Sequence, residues 1–170
     1  MQQKRQSGFT LMEMVITITI VGLLAGVSGS LLTGGFRAYE SNSQAVQLLA
    51  NLRYAMERVT REVMSMQAIT GGYDITTMSA NRLQFTKGDG VAVDIIINPP
   101  LMSLTYSSVP GVIPTLVDSV QAASFSYFQM DGLTPALNAN EISFVQIEIN
   151  LKRNQVAYTQ RTRVAMRARQ

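Results

Sequence analysis

The sequence predicts an α+β fold, with a long N-terminal helix packed on an antiparallel β-sheet. The helix is membrane-embedded in its first half and amphipathic in its second. Three observations carry this expectation. No side chain from Met14 to Phe36 ionises. From Ala45 to Met66 apolar residues recur at steps of three and four. From Tyr73 the period changes to alternation, punctuated by Gly, Pro and Asp-Gly.

The first element opens with the polar, basic stretch Met1–Gly8, in which Lys4 and Arg5 are the only charges. An apolar run follows at once, and about 20 such residues span a bilayer as a helix. Basic residues on the N-terminal flank hold that flank in the cytoplasm, so the chain beyond the span faces outward. Glu13 interrupts the apolar run four residues after Phe9. A carboxylate in hydrocarbon is costly, so such a residue points to function. Three readings compete for this segment. They are a cleaved secretory signal with a cut near "GVSGS", a plain signal anchor, and a signal cut before the apolar run. Only the last has a use for an acid at that depth.

Gly22, Gly26, Ser30 and Gly34 follow at four-residue spacing. That spacing places small side chains on one helix face, where a second backbone can approach closely. Small residues are also simply common in membrane helices. Gly29, Gly34 and Gly35 each weaken a helix by about 1 kcal/mol relative to Ala, so unwinding or bending is expected near residues 29 to 35.

The second half of the helix carries its stripe at Ala45, Leu48, Leu49, Leu52, Met56, Val59, Val63 and Met66. Glu57 with Arg61 and Arg58 with Glu62 stand at i,i+4, where they pair across a solvated face. Gly71 and Gly72 are expected to end the helix near Ala68. Running from Phe9, such a helix is roughly 90 Å long. Its distal stripe needs a cover, and the downstream chain is the expected source.

That chain reads as strands. "RLQFT", the turn "KGDG" and "VAVDIII" form a hairpin signal, with Val91, Val93, Ile95 and Ile97 on one face. Pro99-Pro100 stops the second strand, and "LMSLTYSSV" supplies another. "VQAASFSYFQM" is closed by Asp131-Gly132. In "EISFVQIEINLK", Val145, Ile147, Ile149 and Leu151 share one face. The last run, "TRVAMRAR", sets Val164, Met166 and Ala168 against Arg163, Arg167 and Arg169. The whole predicts an antiparallel sheet of four or more strands on the helix stripe.

Composition narrows the function. The 170 residues contain no Cys and no His, which removes disulfides, thiolate chemistry and His-based catalysis or metal ligation. There is no Gly-rich phosphate loop, no nucleophile–base pair and no cluster of metal ligands, so neither an enzyme nor a cofactor is expected. The formal charge is +3, but without the first eight residues it falls to twelve basic against eleven acidic. Basicity is therefore largely a property of the leader.

"G-F-T-L-M-E", Gly8 through Glu13, ahead of an uninterrupted apolar helix, resembles the class III signal of type IV pilins and type II secretion pseudopilins. The resemblance implies a prepilin peptidase that cleaves between Gly8 and Phe9 and methylates Phe9. It makes Glu13 the acid that pairs with a neighbouring subunit's N-terminus during filament assembly. Many major pilins carry a Pro in mid-helix where this chain has Ser30. The implied organisation is a leader (1–8), a membrane and assembly helix (9–35), an amphipathic helix (36–70) and a β-sheet domain (71–170), with residues 36–170 forming a globular pilin-like domain.

"RVTREV" and the pattern "LVDSVQAASFSYFQMDG", then "SFVQIEINL", then an Arg-rich strand, resemble minor pilins and J-type minor pseudopilins. This implies a structural subunit at the tip of a pilus or secretion filament, or in its initiation. It would start in the bacterial inner membrane with its C-terminal domain in the periplasm. Its partners would be other pilin subunits. Lys152 to Gln170 holds six basic residues and no acid. Arg161, Arg163, Arg167 and Arg169 could meet DNA phosphates or a protein partner. The plainer reading is a solvated sheet face or ion pairs.

Overall fold

The computed structural model describes residues 9–109, 111 and 113–166, and these fall into two compact units, one up to Ser43 and one from Gln44. Helix α1 runs without interruption from Leu11 to Met64. The segment around residues 29 to 35 is helical throughout, contrary to the expected unwinding. Glycine lowers helix stability without removing a backbone donor, whereas proline does both, and no proline is present there.

In the first unit every side chain from Phe9 to Asn42 is exposed. Its 18-residue apolar window has a mean hydropathy of 2.2, long and apolar enough to cross a membrane. Three of its threonines bond back to the helix. Thr17 and Thr19 donate to the carbonyls of Glu13 and Val15 at 2.8 and 2.7 Å, and Thr33 to that of Gly29 at 3.0 Å. Back-bonding of this kind pairs these three hydroxyl donors without water, as an apolar setting requires.

In the second unit the helix buries Leu48, Leu52, Ala55, Met56, Val59, Glu62 and Val63. These lie at the steps of three and four that the sequence shows. The helix ends at Met64, short of the glycines expected to end it. Gly71 instead turns a small hairpin of β1 (Ala68–Ile69) and β2 (Gly72–Tyr73) at φ +89°. A Cβ on Gly72 would lie 3.1 Å from the Asn140 Cα and closer still to its side-chain oxygen, so glycine lets the two segments approach closely.

Two larger antiparallel sheets complete the unit, where the sequence suggested one. The first has the order β3-β4-β5-β6-β7, formed by Ile75–Met78, Arg82–Thr86, Ala92–Asn98, Leu101–Tyr106 and Thr115–Val117. Thr86 faces Ala92 across the "KGDG" turn, where Gly90 takes φ +82°. A cis Pro99-Pro100 bond joins β5 to β6. The second sheet has the order β10-β9-β8, formed by Val156–Ala165, Phe144–Arg153 and Val120–Phe128. A short 3-10 turn, Ala139–Glu141, precedes β9. The sheets meet where Phe125 N–H donates to Ala80 O at 2.8 Å and the Tyr127 hydroxyl to Ser79 O at 2.9 Å. Burial pushes the Tyr127 phenol above its ordinary pKa.

The helix stripe, Leu83, Phe85, Val93 and Ile95 from one sheet, and Val145, Ile147, Ile149 and Leu151 from the other form one core. The fold is α+β with a long apolar N-terminal helix and antiparallel sheets, consistent with a pilin-like fold. One polar side chain enters this core. Glu62, read from the sequence as surface, is 4% exposed. It lies three residues after Val59 and four before Met66, on the buried face.

Candidate functional site

The first candidate is the start of α1. Thr10 precedes the first helical residue and acts as its N-cap, with its hydroxyl accepting Glu13 N–H at 3.3 Å and its carbonyl accepting Met14 N–H at 3.2 Å. Thr10-Leu11-Met12-Glu13 thus has the spacing of a capping box. The sequence reading passed over this, although the pattern was visible before the apolar run. Glu13 sits in the first helical turn, where the exposed N–H groups favour an anion. Its side chain is exposed and, among the described residues, makes no hydrogen bond or ion pair. Phe9 is 78% exposed. Gly8 lies outside the described residues.

Further along the helix, an added Cβ at Gly22, Gly26 or Gly34 would meet nothing within 4 Å. With Ser30 exposed beside them, the small-residue face is open within this chain. Nothing in this unit covers the apolar residues around it. Leu11, Leu23 and Leu31 are all strongly exposed.

The second candidate is the basic last strand. Arg161 donates from Nε to Glu148 Oε2 at 2.7 Å. Arg163 donates to Gln146 Oε1 at 2.8 Å and to Gly132 O at 2.8 Å, and its guanidinium lies 4.4 Å from the centre of the Phe128 ring. Both guanidiniums are therefore committed to the sheet and the β8–β9 loop. Arg167 and Arg169 lie outside the described residues.

A third constellation contains the expected Arg58–Glu62 pair, but its burial and its links to Tyr106 and Lys87 were not foreseen. Glu62 Oε1 accepts from the Tyr106 hydroxyl at 2.8 Å and pairs with Arg58 at 3.1 Å, while Lys87 Nζ stands 3.8 Å from Oε2. Arg58 also donates to the Tyr106 oxygen. Burial, with the Glu62 hydrogen bond, pushes the Tyr106 phenol up. This network ties helix to sheet, and all its charges are spoken for by partners of opposite sign. No group of three or more acidic residues able to hold a metal ion occurs among the described residues.

Among the described residues, the first site differs from the other two in that its carboxylate has no partner within the chain. Its bare carboxylate follows Phe9 and precedes an unpartnered apolar helix. Residues 3–29 match the family model described as the prokaryotic N-terminal methylation motif. The N-terminus is a prepilin-type signal of the type IV pilin and pseudopilin kind. The match covers the leader and the first part of α1, and no curated protein matches the chain. The prepilin-type signal supports a pilin- or pseudopilin-like structural subunit. It implies processing by a prepilin peptidase and assembly with other pilin subunits. Together with the apolar helix, it is compatible with membrane anchoring.

Proposed function

We propose that the protein is a minor pilin or minor pseudopilin that acts at the tip or in initiation of a type IV pilus or type II secretion filament. The observation that carries the reading is the prepilin-type signal in register with Glu13. In this account the chain enters the inner membrane with its leader in the cytoplasm and its C-terminal unit in the periplasm. Cleavage between Gly8 and Phe9 frees an amine that becomes N-methylated. That amine and the Glu13 carboxylate are each expensive in lipid, and pairing between neighbouring subunits compensates both. Only a neighbour at the correct axial offset can form the pair, so Glu13 acts as an assembly register. The open face of Gly22, Gly26, Ser30 and Gly34 lets a neighbouring helix approach.

The other use of such a filament subunit is binding DNA or a surface through Arg161, Arg163, Arg167 and Arg169. The engagement of Arg161 and Arg163 within the sheet favours the structural role.

The minor, apical part of this reading is tested on filaments sheared from cells. Quantitative mass spectrometry is expected to find the chain as a small minority of the subunits, and deletion of the gene is expected to leave few filaments. A chain present as the bulk subunit, or a deletion that leaves filament number unchanged, contradicts the reading.

A further inference from the structure

The sheet edges of the second unit differ in how they are protected. An edge strand offers unpaired N–H and C=O groups, and proteins blunt such edges with bulges, short strands or covering segments. Strand β3 is bulged between Ile75 and Thr77. Strand β7 has three residues and a register shift against β6. The outer side of β8 is bulged near Val120 and receives Ala80 O at Phe125 N–H. Among the described residues strand β10 has no bulge and no covering segment, and its edge is guarded only by the charges of Arg161 and Arg163. Its ten residues pair with β9 in unbroken register, without proline or bulge, and no other strand lies beside it among the described residues.

The register fixes which groups are free. Asn154 and Gln155 form a two-residue turn, with Asn154 at φ +55°, and Val156 pairs with Arg153. In such a hairpin the closing pair is hydrogen-bonded, and the bonded pairs then recur at every second residue. Val156, Tyr158, Gln160, Thr162 and Val164 therefore bond to β9. Lys152 N–H, which donates away from β10 to Ser119 O at 2.8 Å, has the phase this requires. Ala157, Thr159, Arg161, Arg163 and Ala165 turn their N–H and C=O groups outward along a strand of roughly 30 Å.

We propose that the outer edge of β10 is a docking site for an extended segment of a different protein, which adds to the sheet as a further strand. Three observations select this occupant. Five donor–acceptor pairs at two-residue spacing match a polypeptide backbone, which carries both kinds of group. Nucleic acid is disfavoured because the described part of this edge offers too few free cations for a run of phosphates: Arg163 is held by Gln146 and Gly132, and Arg161 shares its charge with Glu148. A second copy is disfavoured by charge. The antiparallel register that joins all five outward residues, with Ala157 opposite Ala165, sets Arg161 opposite Arg161, and like charges directly opposite are destabilising.

The neighbouring strands also specify the partner's chemistry. Ser124 of β8 faces Glu148 of β9, which faces Arg161 of β10. The Arg161 side chain stays 62% exposed beside Glu148, so an Asp or Glu at the next place in that row gives it a second acid, and the partner segment carries an acid facing Arg161. The inference goes beyond the filament reading: it rests on the proposed periplasmic placement of the C-terminal unit and not on a role at the filament tip or in initiation.

The test is amide hydrogen exchange at single-residue resolution on the full chain, in native envelopes and as purified protein. The amides of Ala157, Thr159, Arg161, Arg163 and Ala165 are expected to exchange at least about tenfold more slowly in envelopes, while the intervening amides, already bonded to β9, change little. A Thr159→Pro change removes an outward donor without touching the β9 ladder. It is expected to abolish the added protection at Arg161 and Arg163 and to leave the melting temperature of the purified chain unchanged. Equal exchange of the five amides in both settings overturns the proposal. So does envelope protection that survives Thr159→Pro. Protection that appears in purified protein on raising its concentration, or on adding a single-stranded oligonucleotide, assigns the edge to a second copy or to nucleic acid and also overturns it.

Discussion

A chain carrying Glu13→Gln is expected to be cleaved and inserted like the natural protein and to fail at filament incorporation. Glutamine keeps the length and hydrogen-bonding capacity of glutamate, so it preserves the capping-box pattern begun by Thr10. It removes only the charge. A neighbouring N-terminal amine then faces hydrocarbon without a counter-ion, at a cost of about 3 kcal/mol on insertion-based scales. That corresponds to roughly a 100-fold loss of incorporation. Glu13→Ala is expected to behave similarly, with a small added loss of helix-start stability. The readout is the ratio of membrane-held to filament-held chain by immunoblot after shearing. If the Gln variant incorporates normally while the Ala variant does not, Glu13 serves the helix start and not the register.

The second large effect concerns folding. Replacing Glu62 by Ala removes the acceptor of the Tyr106 hydroxyl and the shared counter-ion of Arg58 and Lys87. It also opens a void beside Val59 and Val63. A buried acid cut out of such a network costs about 2–4 kcal/mol. The partners Arg58 and Lys87 retain some exposure and can reach water, which keeps the loss at the lower end of what fully buried ion pairs show. Tyr106→Phe, which removes one hydroxyl, is expected to cost about 1 kcal/mol. Thermal unfolding of the full chain in detergent would give both values. A Glu62→Ala variant as stable as the natural protein would mean that the buried network is neutral, as some buried ion pairs are.

Sequence pattern made much of this legible, and the failures have physical causes. The buried stripe from Leu48 to Val63 follows from helical period, because one face of α1 meets the sheets. Strands β4, β5 and β9 were clear because each alternates between a buried and a solvated face. The division into two sheets was not, since alternation marks which residues face inward and not which strand pairs with which. β1 and β2 were missed because two residues hold no period. The start of β10 was missed because Ala157, Thr159 and Arg161 face outward while Tyr158, Gln160 and Thr162 are only partly covered, so contrast between faces is low. Glu62 was misassigned because an i,i+4 partner suggests a surface pair. Its spacing from Val59 and Met66 was the signal that should have prevailed. At the N-terminus, the acid in the apolar run was visible as an anomaly at once, and its setting behind Thr10 needed only the capping pattern.

Intact-mass and N-terminal analysis of the protein from its native membrane shows whether residues 1–8 are a prepilin leader. The expected chain begins at Phe9 and carries one added methyl group on its amine. A chain that keeps its leader, or one cut near residues 25 to 30, would contradict this reading and would remove Glu13 from any role in assembly.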